Sequence, residues 1–161
     1  MATILTVLAF VTLACSIGGL TLGDHSATVE FKLTEERLNE MVANIDSVNN
    51  SDPDNLLDKI TNIELHDGYI RFFGEDTLLD GSQVSGNFDI SLTAVDGNLV
   101  VALIAVDIPG VDMNDPRITK VNTELSKDFS DIVAESQGDV VFKEAKVEED
   151  LLTFTIQVGF Y

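Results

Sequence analysis

Residues 84 to 108 constrain the fold more tightly than any other part of the chain. Val84 to Val95 and Asn98 to Ile108 are strand-like runs on either side of Asp96-Gly97. An Asp-Gly pair between such runs is the strongest short-range signal for a hairpin closed by a two-residue turn. With that loop, Val95 pairs with Asn98 and the register follows. Leu92 then opposes Val101, Ile90 opposes Leu103 and Phe88 opposes Ala105 on one apolar face. On the other face Thr93 opposes Val100, Ser91 opposes Ala102, Asp89 opposes Ile104 and Asn87 opposes Val106. The first strand alternates and reads as half-buried. The second is apolar on both faces, so it reads as an inner strand whose outer face needs a cover. Either a helix of the same domain supplies it, or Val100, Ala102, Ile104 and Val106 line a groove for an acyl chain or a partner.

The flanking segments supply elements of matching kinds. Val29, Phe31 and Leu33 alternate with Glu30 and Lys32, the pattern of a strand. Thr34 is placed to cap a helix whose first turn carries Glu35 and Glu36. Leu38, Met41, Val42, Ile45 and Val48 then form an apolar stripe to about Asn49. Asn50, Asp52 and Asp54 share the spacing of a calcium loop's first ligands, but the central Gly is missing and Thr61 stands where the closing Glu belongs. A plain turn accounts better for them. Ile60 to Leu65 and Tyr69 to Phe73 flank Asp67-Gly68 as a second hairpin, with Glu64 opposite Arg71 as a cross-strand charge pair and His66 opposite Tyr69. Leu78 to Ser82 reads as an exposed connection.

Beyond the central hairpin, Pro109-Gly110 ends the strand and Asp115-Pro116 starts a second helix. Its stripe is Ile118, Val121, Leu125, Phe129, Ile132 and Val133, and Gly138 closes it. Val140 to Val147 and Leu151 to Phe160 form a last hairpin, whose first strand changes parity near Lys143-Glu144 as a bulge would make it do. The order strand, helix, hairpin, central hairpin, helix, hairpin predicts an α+β fold. Its expected form is a curved, mostly antiparallel sheet of about seven strands packed on two amphipathic helices.

The N-terminus is of another character. Ala2 to Gly23 holds no charged residue, and Ile4, Leu5, Val7, Leu8, Phe10, Val11 and Leu13 make it strongly apolar. Its length suits a membrane-spanning helix, while Gly18, Gly19 and Gly23 suit the region beyond a signal cleavage site. Thr12-Leu13-Ala14-Cys15 is similar to a bacterial lipobox, with Thr12 where Leu is usual and no Lys or Arg before the apolar run. Lipidation at Cys15 is read ahead of a plain anchor, and either puts the domain in the cell envelope, outside the cytoplasm. The expected division is residues 1–23 as leader or anchor, 24–27 as linker and 28–161 as one domain. Cys15 is the sole cysteine, so no intrachain disulfide forms.

The apolar N-terminus, the Thr34-Glu-Glu-Arg-Leu38 helix start, the Asp67-Gly68 hairpin, Val95-Asp-Gly-Asn-Leu99, Pro109-Gly110, a second helix and a closing hairpin together form a pattern. Over about Val29 to Phe160 it resembles bacterial single-anchor and lipoprotein families of unknown function, of the YpmS-like and LmeA-like kind. The resemblance implies the curved-sheet-on-helix architecture of tubular lipid-binding (TULIP-like) modules, and association with lipid or envelope. It supplies no catalytic residue.

Charge and chemistry narrow the function classes further. The net charge of -19, from 28 acidic against 9 basic residues, argues against nucleic acid or an anionic membrane as a partner of the folded domain. Gly81-Ser-Gln-Val-Ser-Gly86 has the wrong spacing for a hydrolase elbow. His25 and His66 are too few and too far apart for a zinc site, and no Gly-rich phosphate loop carries a Lys. The sequence therefore points to no catalytic residues, no metal and no cofactor. It points to a membrane-tethered binding module for a lipid or other apolar ligand, or to an envelope interaction protein without a small ligand.

Overall fold

The computed structural model describes residues 16–23, 25–44, 56–78, 80–123 and 140–159. In chain order the elements are β1 (Ser16–Leu22), β2 (Ser26–Thr34), α1 (Glu35–Asn44), β3 (Lys59–His66), β4 (Tyr69–Thr77), β5 (Gln83–Val95), β6 (Asn98–Asp107), α2 (116–123), β7 (Val140–Glu148) and β8 (Leu151–Gly159). The apolar stretch up to Cys15, the Asn50-Asp52-Asp54 loop, helical positions Ile45, Val48, Leu125, Phe129, Ile132 and Val133, the closing Gly138, and Phe160 lie outside the described residues.

The fold is α+β and antiparallel, but the expected single sheet of about seven strands is replaced by two four-stranded sheets. One has the order β1-β2-β8-β7, the other β3-β4-β5-β6. The middle four strands form a meander, and each helix carries the chain from one sheet to the other. The first sheet is closed by a pairing no local pattern announces: β2 runs antiparallel to β8 in unbroken register from Ser26↔Gly159 to Thr34↔Leu151. Strand β1 falls in the stretch read from sequence as the far end of the leader, and it pairs with β2 through Leu20↔Val29 and Leu22↔Ala27.

Local chemistry behaves as the residue types require. The Thr34 hydroxyl accepts the Arg37 amide at 3.3 Å and caps α1. Asp115 caps α2, its carboxylate accepting the Arg117 amide at 2.9 Å. The central turn takes Asp96 and Gly97 to φ of 51° and 84°, which is why an Asp-Gly pair stands there. The Asp67-Gly68 hairpin has the expected register, Leu65↔Ile70 and Ile63↔Phe72. The expected bulge in β7 is present between Phe142 and Glu144.

One core serves both sheets. Leu33 and Leu152 from the first, Ile63, Phe72, Phe88, Ile90 and Val101 from the second, and Leu38, Met41, Ile118 and Val121 from the helices are all buried in a single cluster. Phe72 and Phe88 stack with centroids 5.1 Å apart, worth about 1 kcal/mol beyond the area they bury. Where β4 and β5 pair at Gly74↔Gly86, no side chain fits. A Cβ on Gly86 would lie 2.7 Å from the Asp107 carbonyl oxygen, and one on Gly74 would meet the Lys59 carbonyl.

Candidate functional site

The expected inner strand, β6, stands at the edge of its sheet. Its inward face behaves as read: Leu99, Val101 and Leu103 are buried. On its outward face Val100 and Ile104 remain 39% and 48% exposed. Ala102 points the same way, opposite Ser91, and is half-buried. Val106 departs from this set. The register holds from Val95↔Asn98 to Ile90↔Leu103, then slips so that Asp89 faces Ala105 and Phe88 faces Val106. Ile104 is the extra residue of a bulge, and one added residue turns everything beyond it to the opposite face. Val106 therefore packs against the core, opposite Phe88. Of the four residues expected to line a groove, three form an outward strip and the fourth is interior.

Beside the strip lies a polar constellation that the pairing of β4 with β5 creates. Arg71 donates through Nε and a terminal nitrogen to the two Asp89 carboxylate oxygens at 2.7 and 2.8 Å. Asp89 is only 5% exposed, although it stands on the outward face. Two parallel charge-assisted bonds satisfy a carboxylate that would otherwise be costly to bury. The bond to Asp89 also holds the Arg71 guanidinium well above its usual range, against the opposing effect of burial. Arg71 lies over the Tyr69 ring at 5.4 Å, and Tyr69 stacks on His66 at 4.7 Å. Glu64 does sit opposite Arg71 in register, yet its carboxylate lies 3.3 Å from the His66 Nε2. Sequence reasoning missed the Arg71–Asp89 pair because it depends on the β4–β5 register. The available signal was a lone Arg and a lone Asp at outward positions of adjacent strands.

The sheet also carries a shallow depression of about 400 Å³ beside the Gly74–Gly86 pair, lined by Phe73, Glu75, Ser85, Asn87, Asp107 and Pro109 among others. Two carboxylates, an amide and a hydroxyl there offer hydrogen-bond acceptors. Among the described residues, no three His, Cys, Asp or Glu side chains group closely enough to hold a metal ion.

The sheet edges are treated in a consistent way. The Asn39 side chain on α1 donates to the Ile63 carbonyl and accepts the Ile63 amide, both at 2.7 Å, imitating a neighbouring strand along β3. Glu35 accepts the Leu65 amide at 2.8 Å on the same edge. Asn122 on α2 accepts the Leu103 amide at 2.8 Å on the edge of β6. Both Asp-Gly turns dock on β7: the Gly68 amide donates to the Val147 carbonyl at 3.0 Å, and the Phe142 amide donates to the Gly97 carbonyl at 2.8 Å. The fourth edge is β1, where Leu20 and Leu22 are 60% and 72% exposed. Among the described residues, no helix is long and apolar enough to cross a membrane.

Comparison with known proteins finds no matching family model, no matching curated protein and no matching solved structure.

Proposed function

We propose that the chain is a non-catalytic, extracytoplasmic binding module, tethered at the membrane by its N-terminal apolar segment, that takes an apolar ligand on the outer strip of β6. The observation carrying this reading is the strip itself: Val100 and Ile104 stay exposed beside Ala102 on the outward face of β6. Apolar side chains left adjacent on one strand mark interaction sites more often than apolar residues scattered singly do. Among the described residues, Leu38, Met41, Ile118 and Val121 of the helices are themselves buried in the core. The sequence's resemblance to YpmS-like and LmeA-like single-anchor and lipoprotein families supports lipid or envelope association. The same exposed strip carries a second reading, an envelope interaction protein that uses it for a protein partner and carries no small ligand.

The test compares the parent with a Val100→Asp/Ile104→Asp variant. Native mass spectrometry after mild extraction should show a co-purifying apolar molecule on the parent, and the parent should displace a bound hydrophobic dye. Both signals should be lost in the variant, whose circular dichroism should be unchanged. A clean apo mass with no dye effect in the parent transfers the assignment to the second reading. Equal binding by parent and variant removes the strip from it.

A further inference from the structure

We propose that β1 is a membrane-contact strand, with Leu20 and Leu22 entering the interfacial layer of the lipid bilayer to which the preceding apolar segment leads. The proposal deepens the tethered reading and rests on it. Hydrogen bonds from Asn39 and Glu35 cover β3, Asn122 covers β6, and the turns at Gly68 and Gly97 cover β7. Open strand edges invite association, and natural sheets cover or charge them. The strand β1 instead carries, among the described residues, the two most exposed of the large apolar side chains, at 60% and 72%.

Charge identifies the occupant. Ala2 to Gly23 holds none of the chain's 28 acidic or 9 basic residues, so the entire net charge of -19 lies beyond it. The partners of β1 run from Ala27 to Lys32, and their only charges are Glu30 and Lys32. Those two form an ion pair at 2.9 Å and cancel each other. A second copy docking here would bring two strongly anionic domains together, which their mutual repulsion opposes. A bilayer reached through an uncharged strand meets no such barrier. Immediately before β1 the sequence continues as an uncharged apolar run from Ile4 to Leu13, so the strand lies next to the segment with the greatest affinity for hydrocarbon. The contact is interfacial and does not penetrate the bilayer core. The amides and carbonyls of a strand edge would be costly in hydrocarbon, whereas at headgroup depth they are hydrated while the leucine side chains dip inward.

The sequence contains no tryptophan, so a single introduced one reports without background. The full chain carrying Leu22→Trp is mixed with phosphatidylcholine vesicles containing lipid brominated on its acyl chains. Flotation reads the tether, and tryptophan emission reads β1. The expected result is flotation with a blue shift and loss of emission for Leu22→Trp, and for Leu20→Trp. Glu144→Trp, on the opposite edge of the same sheet, should float equally and stay bright. Protein that floats while Leu22→Trp emits as in water overturns the proposal and leaves the tether standing. Protein that does not float overturns both. Concentration-dependent shielding of Leu22→Trp in lipid-free buffer, without quenching on vesicles, assigns the strand to a second copy and also overturns the proposal.

Discussion

Asp76, near the end of β4, is a carboxylate whose charge the fold opposes. Burial pushes its pKa up, the neighbouring Asp58 pushes it further, and the Thr77 amide and Arg117 only partly offset them. A carboxyl raised in the folded state binds its proton more tightly there than in the unfolded chain. Its contribution to stability is therefore fully present below the ordinary value of 3.8 and is lost as pH rises through the folded value. Asp76→Asn should then be more stable than the parent at pH 7, with the gain shrinking on acidification and vanishing below that ordinary value. Urea unfolding of both proteins across this range checks it, and a gain that persists at acid pH would point to a cause other than charge. Asp115 works in the opposite sense. Its bond to Arg117 holds the carboxyl below its usual range, so what it contributes is present near neutrality and lost on strong acidification. The Arg71–Asp89 pair shows how little of such chemistry a single strand reveals. Both residues occupy ordinary outward positions in their own hairpins, and only the pairing of β4 with β5 makes them partners.

The helices act at the element scale as sheet edges as well as core cover. Asn39 offers β3 one donor and one acceptor, as a neighbouring strand would. Asn39→Ala leaves both Ile63 backbone groups without those partners and should cost about 2 kcal/mol, at about 1 kcal/mol for each hydrogen bond lost. Asn39→Asp should cost at least as much, because a carboxylate cannot donate to the Ile63 carbonyl. A loss within about 0.5 kcal/mol in equilibrium unfolding, the ordinary scatter of surface substitutions, would show that water replaces the side chain without penalty. The two Asp-Gly hairpins and both helix starts were legible in the sequence because turn residues and capping residues act on neighbours a few positions away. The bulge at Ile104 was not. The run from Leu99 to Val106 is apolar at every position, so either parity satisfies it, whereas the Lys143-Glu144 pair broke the alternation visibly.

At the scale of the whole molecule, charge sets the balance. Surface pairs such as Lys32–Glu30 and Arg37–Glu40 are each worth less than about 1 kcal/mol. With 28 acidic residues against 9 basic ones, carboxylates far outnumber the cations that could pair with them. Salt screens both effects, and repulsion is the larger. Raising sodium chloride from about 0.01 M to about 1 M shortens the screening length from roughly 30 Å to roughly 3 Å. It should raise Tm, each kcal/mol of relieved repulsion adding roughly 2–4 °C at this chain length. Calorimetry across that range checks it, and a flat or falling Tm would mean that the few ion pairs outweigh the excess of acids.

The sequence by itself determined the antiparallel α+β class, the three Asp-Gly or tight-turn hairpins, the caps at Thr34 and Asp115, and the uncharged character of everything before Asp24. Each depends on residues within one turn or one hairpin of each other. Only the tertiary structure decided that β2 joins β8, that the strands divide into two sheets, that β6 lies at an edge with Val106 turned inward, and that Arg71 meets Asp89. Those outcomes depend on pairings between distant segments, and an alternating apolar pattern shows that a strand has a buried face without saying which strand lies beside it.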